Sequence, residues 1–303
     1  MSVSRREFYS DARQMLDLAK NPLLVDTFPP NAQQNISARI LRRGLAVSAF
    51  SLLEGYMEKR LEELVFDLSA SPISYSDMGS KLKRFLTVEA VLGFATKLNF
   101  TKNADQLQLA EDLLARLIGH MSVPPSYTAI GFSPKGSNIS KDDIKTALAA
   151  LGADDGWTRL SRIARDIGST RLSLEGEYAN LANIRNRAAH DSAVNVPTTD
   201  LQAHLEVVNV IGITFDIMCS SLVSTYLKAR TPAHVAAGFA ILAPSYRFID
   251  HQVDGRWFER AKTTGRVVKS YSTELEARTV AGTRTGGGFI VIRDIKQLPI
   301  ELL

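Results

Sequence analysis

Between residues 36 and 68 apolar side chains return every three or four positions. Ile40, Leu41, Leu45, Val47, Leu52, Leu53, Tyr56, Met57, Leu61, Leu64, Val65 and Leu68 form the apolar face of one long helix, which Ser71-Pro72 ends. The same period over 5–20 (Phe8, Ala12, Met15, Leu16, Ala19) predicts a shorter amphipathic helix stopped at Asn21-Pro22, with Pro29-Pro30 marking an extended connector. Helices are expected at 80–98 and 104–120. From 121 to 140 the composition turns to Pro, Gly, Ser and Asn, which reads as a loop. Ser140 then opens Ser-Lys-Asp-Asp, a capping-box-like start for a helix over 142–151 that Gly152 closes. Residues 157–167 read as either a short helix or irregular chain. Helical patterns return over 172–189 and, after a turn at 191–197, from a second capping-box signature at Thr199 and Gln202 to about Ala229. Thr231-Pro232 reads as a stop.

Beyond His234 the texture changes. Short β-rich runs at 239–242, 246–251, 266–271, 277–283 and 289–293 are separated by Asp254-Gly255 and by Gly286-Gly287-Gly288, the latter read as a hairpin turn rather than a nucleotide loop because Phe-Ile-Val-Ile follows it. The expected fold class is therefore mainly α, a helical domain over 1–232 with a small α+β or β-rich domain over 233–303.

Composition narrows the class. The chain has 303 residues, 45% hydrophobic and 22% charged, so it can bury a full core without disulfides or a structural metal. One cysteine, Cys219, lies in an apolar helical run and reads as a buried thiol in a reducing compartment. No apolar stretch follows Met1–Phe8 as in a signal peptide. The most hydrophobic segment, 207–227, carries Asn209 and Asp216 and reads as a core or dimer-interface helix. A cytoplasmic location and no membrane association are expected. The net charge of +4 permits nucleic-acid binding without demanding it; +3 of it lies in 234–303, where ten Lys/Arg face seven Asp/Glu. Aromatic and basic residues there (Tyr246, Arg247, Arg256, Trp257, Arg260, Lys262, Arg266, Lys269) fit either a single-stranded RNA surface or a small core with a solvated rim. His120, His204, His234 and His251 show no metal-ligand spacing, so no metal and no cofactor are assigned.

The most informative segment is Arg185-Asn186-Arg187-Ala188-Ala189-His190, set between two helical patterns. RNA cleaves itself when its 2′-hydroxyl is deprotonated and aligned with the adjacent phosphate. His190 suits proton transfer, since imidazole has an unperturbed pKa near ~6.5. Arg185 presents a planar fork to phosphate oxygens, and Asn186 donates to phosphate or orients the imidazole. Arg187 reads as a solvated helix charge or an RNA-backbone contact. At ~100° per residue Asn186 and His190 share a helix face, while Arg185 points about 140° from His190 unless its side chain wraps round or the helix breaks. The structural alternative pairs Arg185 with Glu177 or Asp191 and makes His190 a helix cap.

Arg185-Asn186 with His190, framed by Leu181-Ala182-Asn183-Ile184 and Asp191, resembles the ribonuclease motif of the HEPN superfamily. Upstream, Ala49–Tyr56 resembles that superfamily's early helix, where Glu54 and Tyr56 are read as stabilising the fold rather than lining a cleft. Residues 136–152 resemble a segment of its RiboL-PSP-HEPN branch. The resemblance covers roughly 5–230 and implies a HEPN-like helical bundle. It also implies a metal-independent endoribonuclease with Arg185, Asn186 and His190 as catalytic residues, Arg187 contacting RNA, and a homodimer that joins two motifs in one cleft. The alternative it leaves is a catalytically inactive RNA-binding or assembly subunit of a defence or toxin–antitoxin complex, its partner docking through the C-terminal region. Some members carry a tyrosine two residues past the histidine that a partner enzyme modifies; this chain has Ser192 there.

Overall fold

The computed structural model describes residues 2–29, 33–122, 124–132, 138–240, 244–261, 265–284 and 288–303. Pro30, Val123, residues 133–137 of the expected loop, Lys262 and Gly286-Gly287 lie outside them. The chain is mainly α with a small C-terminal mixed sheet. Helices α1 (Val3–Leu18), α2 (Gln33–Asp67), α3 (Ser80–Arg84), α4 (Ala90–Phe100), α5 (Asn103–Leu117), α6 (Lys141–Ala150), α7 (Gly156–Asp166), α8 (Leu174–His190), α9 (Thr198–Lys228) and α10 (Pro232–Ala240) come first. Strands β1 (Tyr246–His251), β2 (Trp257–Ala261) and β3 (Val267–Tyr271) follow, then α11 (Glu274–Gly282), β4 (Phe289–Arg293) and β5 (Pro299–Leu302).

Contacts divide the chain into two compact units. The first holds residues 1–56, 160–215 and 244–303. Its helical core is built on α1 and α2. Phe8 stacks on Tyr56 with ring centroids 4.1 Å apart, and Phe50 meets Tyr178 of α8 at 5.4 Å. Phe8 also explains Gly212 of α9, because a Cβ there would lie 2.5 Å from the Phe8 ring. The sheet has strand order β3-β2-β1-β4-β5, with β1 and β4 parallel and the other neighbours antiparallel. Ile249, Trp257, Tyr271, Ile290 and Ile292 pack under Ala277 and Ala281 of α11, small residues that let the helix lie close. Asn209 of α9 donates to the Pro299 and Ile300 carbonyls, and Arg13 of α1 makes a bidentate pair with Glu274, both bonds 3.0 Å. Burial alone would raise the Glu274 carboxyl, but the bonds from Arg13 and Arg278 hold it below the usual carboxylate range.

The second unit holds residues 57–159 and 216–243. Met57, Leu61, Leu64, Val65 and Leu68 are buried, as the helical period over α2 predicts. Asp216 is fully buried and meets Arg60 Nε at 2.9 Å, while Ser220 gives its hydroxyl to the same carboxylate. Gly93 of α4 faces the Ile130–Gly131 backbone so closely that a Cβ on either glycine would collide with main chain. The 80–98 helix is interrupted by a π turn at Phe85–Glu89. The Ser140–Asp143 capping box forms with both reciprocal bonds. α9 is long and apolar enough to cross a membrane, yet 83% of its most apolar window is buried inside the protein.

Several expectations are corrected. Residues 277–282 are helical, not extended, and Thr283 is the C-cap, because Thr273 caps the start of α11 through the Glu276 N–H. Phe239 belongs to α10 rather than a strand, since Thr231 accepts from His234 N–H and Val235 N–H and so starts a helix where a stop was expected. Gln202 donates to the Ala19 carbonyl instead of closing a capping box with Thr199. Ile40 and Leu41, expected on the apolar face of α2, are 58% and 51% exposed. Trp257–Ala261 and Pro299–Leu302 are strands that the alternation analysis did not find.

Candidate active site

The segment Arg185–His190 forms the last turns of α8. Ser173 caps the start of this helix by accepting from Gly176 N–H, and Glu175 and Glu177 sit in its first turn, where carboxylates favour the helix dipole. Leu174, Tyr178, Leu181 and Ala188 are buried, spaced four, three and seven apart. Arg185 stands on that same stripe, midway between Leu181 and Ala188. This is why its side chain is half-buried and its Nε has no hydrogen-bond partner.

The helix stays regular to His190, so the ~140° separation of Arg185 from His190 holds. Arg185 Nη1 donates to Asn186 Oδ1 at 3.1 Å. Arginine and amide are thereby coupled, and the Asn186 NH₂ is left for an acceptor. Asn186, Arg187 and His190 are exposed. Asn186 and His190 lie on one face by their spacing. Neither acidic partner considered for Arg185 takes it. Glu177 pairs with Arg171 at 3.3 Å, and Asp191 accepts from Ala193 N–H at 2.8 Å.

The turn after the motif is fixed from a distance. Asp191 N–H closes α8 on the Arg187 carbonyl, and Val194 and Val196 are buried behind it. Arg43 of α2 donates to the Ala188 carbonyl through Nε (3.2 Å) and Nη2 (2.9 Å), and to the Ser192 carbonyl through Nη1 (3.1 Å). Its neighbour Arg42, 1% exposed, binds Asp26, the Leu24 carbonyl and Asn195 Oδ1. Sequence reading missed both arginines; the only sign of them is a basic pair inside an apolar helical pattern.

Other singled-out residues have structural surroundings. Tyr56 is in the core. His120 meets the Leu117 carbonyl and Tyr75. His251 stacks on Trp257. Burial holds the His204 imidazole below its ordinary pKa. In the sheet, Arg247 pairs with Glu259, Arg260 with Asp250 and Arg256 with Asp254, while Tyr246 and Trp257 are buried. Among the described residues no cluster of three or more His, Cys, Asp or Glu is placed to hold a metal ion.

The family model for RiboL-PSP-HEPN matches residues 10–221, which include the second half of α1, all of α2, α8 with its motif and most of α9 from its start. No curated protein and no solved structure matches the chain.

Proposed function

Because the chain belongs to the RiboL-PSP-HEPN family, whose HEPN domains are RNase-like and RNA-related, we propose that it is an endoribonuclease that needs no metal. The observation that carries this reading is Arg185, hydrogen-bonded to Asn186 and, among the described residues, to no carboxylate, beside an exposed Asn186–His190 face. In the reaction a base removes the 2′ proton, the 2′ oxygen attacks phosphorus, and the P–O5′ bond breaks as an acid protonates O5′. The products are a 2′,3′-cyclic phosphate and a 5′-hydroxyl. His190 serves as proton carrier, Arg185 neutralises the phosphoryl oxygens in the transition state, Asn186 positions the phosphate and Arg187 contacts the backbone.

The motif supplies one histidine per chain, whereas cleavage uses both an acid and a base. A two-fold homodimer bringing two motifs together provides both. The exposed Ile36, Ile40 and Leu41 on α2, close in sequence to Arg43, support a face that a second copy covers. A role as a cytoplasmic toxin or abortive-infection effector in bacterial defence, with a partner docking on the C-terminal sheet, rests on the family analogy alone.

The test is incubation of RNA in EDTA with wild type, His190→Ala and Arg185→Ala, with end-group analysis and a measurement of mass in solution. Cleavage by wild type alone, leaving cyclic phosphate ends from a dimer, is expected. RNA bound but uncut by wild type would instead favour a non-catalytic binding or assembly subunit. Cutting that survives His190→Ala refutes the mechanism.

A further inference from the structure

We propose that Arg43 is the positioning residue for His190, an inference that rests on the nuclease reading above. The last carbonyls of a helix have no partner within it. In α8 one of them, Ala188 O, lies two residues before His190 and takes two Arg43 bonds. Ser192 O, two residues after His190, takes the third. One guanidinium thus pins the main chain on both sides of the histidine. The His190 ring is exposed and has no partner among the described residues, so its place is set by its backbone alone.

Arginine is the side chain for this task. Its fork reaches two carbonyls at once with fixed geometry, and its charge suits a helix C-terminus. Lysine offers a single point of attachment. Arg43 is itself steadied, because the adjacent Arg42 is buried and tied to Asp26, Leu24 and Asn195. Since each of its three nitrogens already donates to a carbonyl, Arg43 acts through the position of His190 and not as a phosphate ligand. Its loss therefore lowers kcat and leaves KM nearly alone.

The experiment compares full-length wild type, Arg43→Ala and Arg43→Lys. Amide hydrogen exchange is followed at Asp191, Ala193 and Val194, the NMR line shape at the His190 ring, and kcat and KM on RNA. Exchange at these amides should rise at least ~10-fold in Arg43→Ala and the ring signal should broaden. Its kcat should fall about 10–100-fold, the scale of a ~1 Å misplacement, with KM within about 2-fold and partial recovery in Arg43→Lys. Faster exchange with kcat unchanged would make Arg43 merely structural and overturn the proposal. A raised KM at constant kcat would make it a substrate contact and overturn it equally. If wild type cuts no RNA, the nuclease reading falls by itself. Exchange and the ring signal then decide the clamp: unchanged values in Arg43→Ala refute it, and local loosening with a broadened ring sustains it.

Discussion

Arg185→Met separates a residue kept for chemistry from one kept for the fold. Among the described residues the Arg185 Nε is buried without a hydrogen-bond partner, and the guanidinium has only the Asn186 amide. An unsatisfied buried donor costs about 1–3 kcal/mol, whereas a hydrogen bond such as that to Asn186 contributes about 0.5–1.5 kcal/mol. Methionine keeps an unbranched stem on the stripe between Leu181 and Ala188 and carries no donor to desolvate. The balance is a variant more stable by about 0.5–1 kcal/mol, a rise in Tm of roughly 1–3 °C for a chain of this size. Urea denaturation followed by circular dichroism measures it, and an unchanged m value confirms that the same surface is exposed. RNA cleavage by the same variant should fall about 100–1000-fold, as when a transition-state donor is removed. A loss of more than about 1.5 kcal/mol would refute the reasoning, because the guanidinium would then be holding the fold together.

Asp216→Ala should cost about 1–3 kcal/mol in urea denaturation, since it removes the acceptor of the buried Arg60 Nε while Glu63 still faces the guanidinium; a cost under about 0.5 kcal/mol would show that the pair contributes little. The Cys219 thiol, fully buried with its pKa pushed up by desolvation, should resist alkylation in the native protein and react only on unfolding; rapid labelling of native protein would contradict this. The Glu274 carboxyl is held below its ordinary value of 4.5, so its contribution to stability is present above that pH and is lost as pH falls through the folded value. Glu274→Gln should therefore flatten that part of the stability–pH curve, and an unaltered curve would count against it.

The helices were legible wherever one period ran long enough. Over α8 the buried Leu174, Tyr178, Leu181 and Ala188 keep helical spacing, and at α6 Ser140 and Asp143 announce the cap that forms. The errors cluster where two periods fit the same residues. Ala277–Thr283 carries the β-branched Thr279, Val280 and Thr283, but Ala277, Val280 and Ala281 keep helical spacing and the preceding Thr273-Glu274-Leu275-Glu276 carries the cap signal that decides for helix. β2 escaped notice because Glu259 is a buried strand residue, tolerable through Arg247, Tyr271 and Arg284, which lie elsewhere in the chain. In the candidate site, the motif was visible because its residues are neighbours in sequence. Arg43 was not, because its bond to Ala188 spans 145 positions and no local pattern records it.

The order in which the chain is made acquires a meaning from how the first unit is assembled. That unit draws on three separate stretches, and the last of them, 244–303, supplies the carbonyls that Asn209 holds and the carboxylate that Arg13 grips. At roughly 5–20 residues per second, the ribosome needs several seconds more after His190 to produce the final strands. Throughout that interval a nascent chain carries the whole motif on a helix whose unit is incomplete. Contacts so distant in sequence also make this unit slow to close. The sheet of residues 244–303 therefore acts as a timer on maturation: the motif reaches its finished setting only once that stretch has been made.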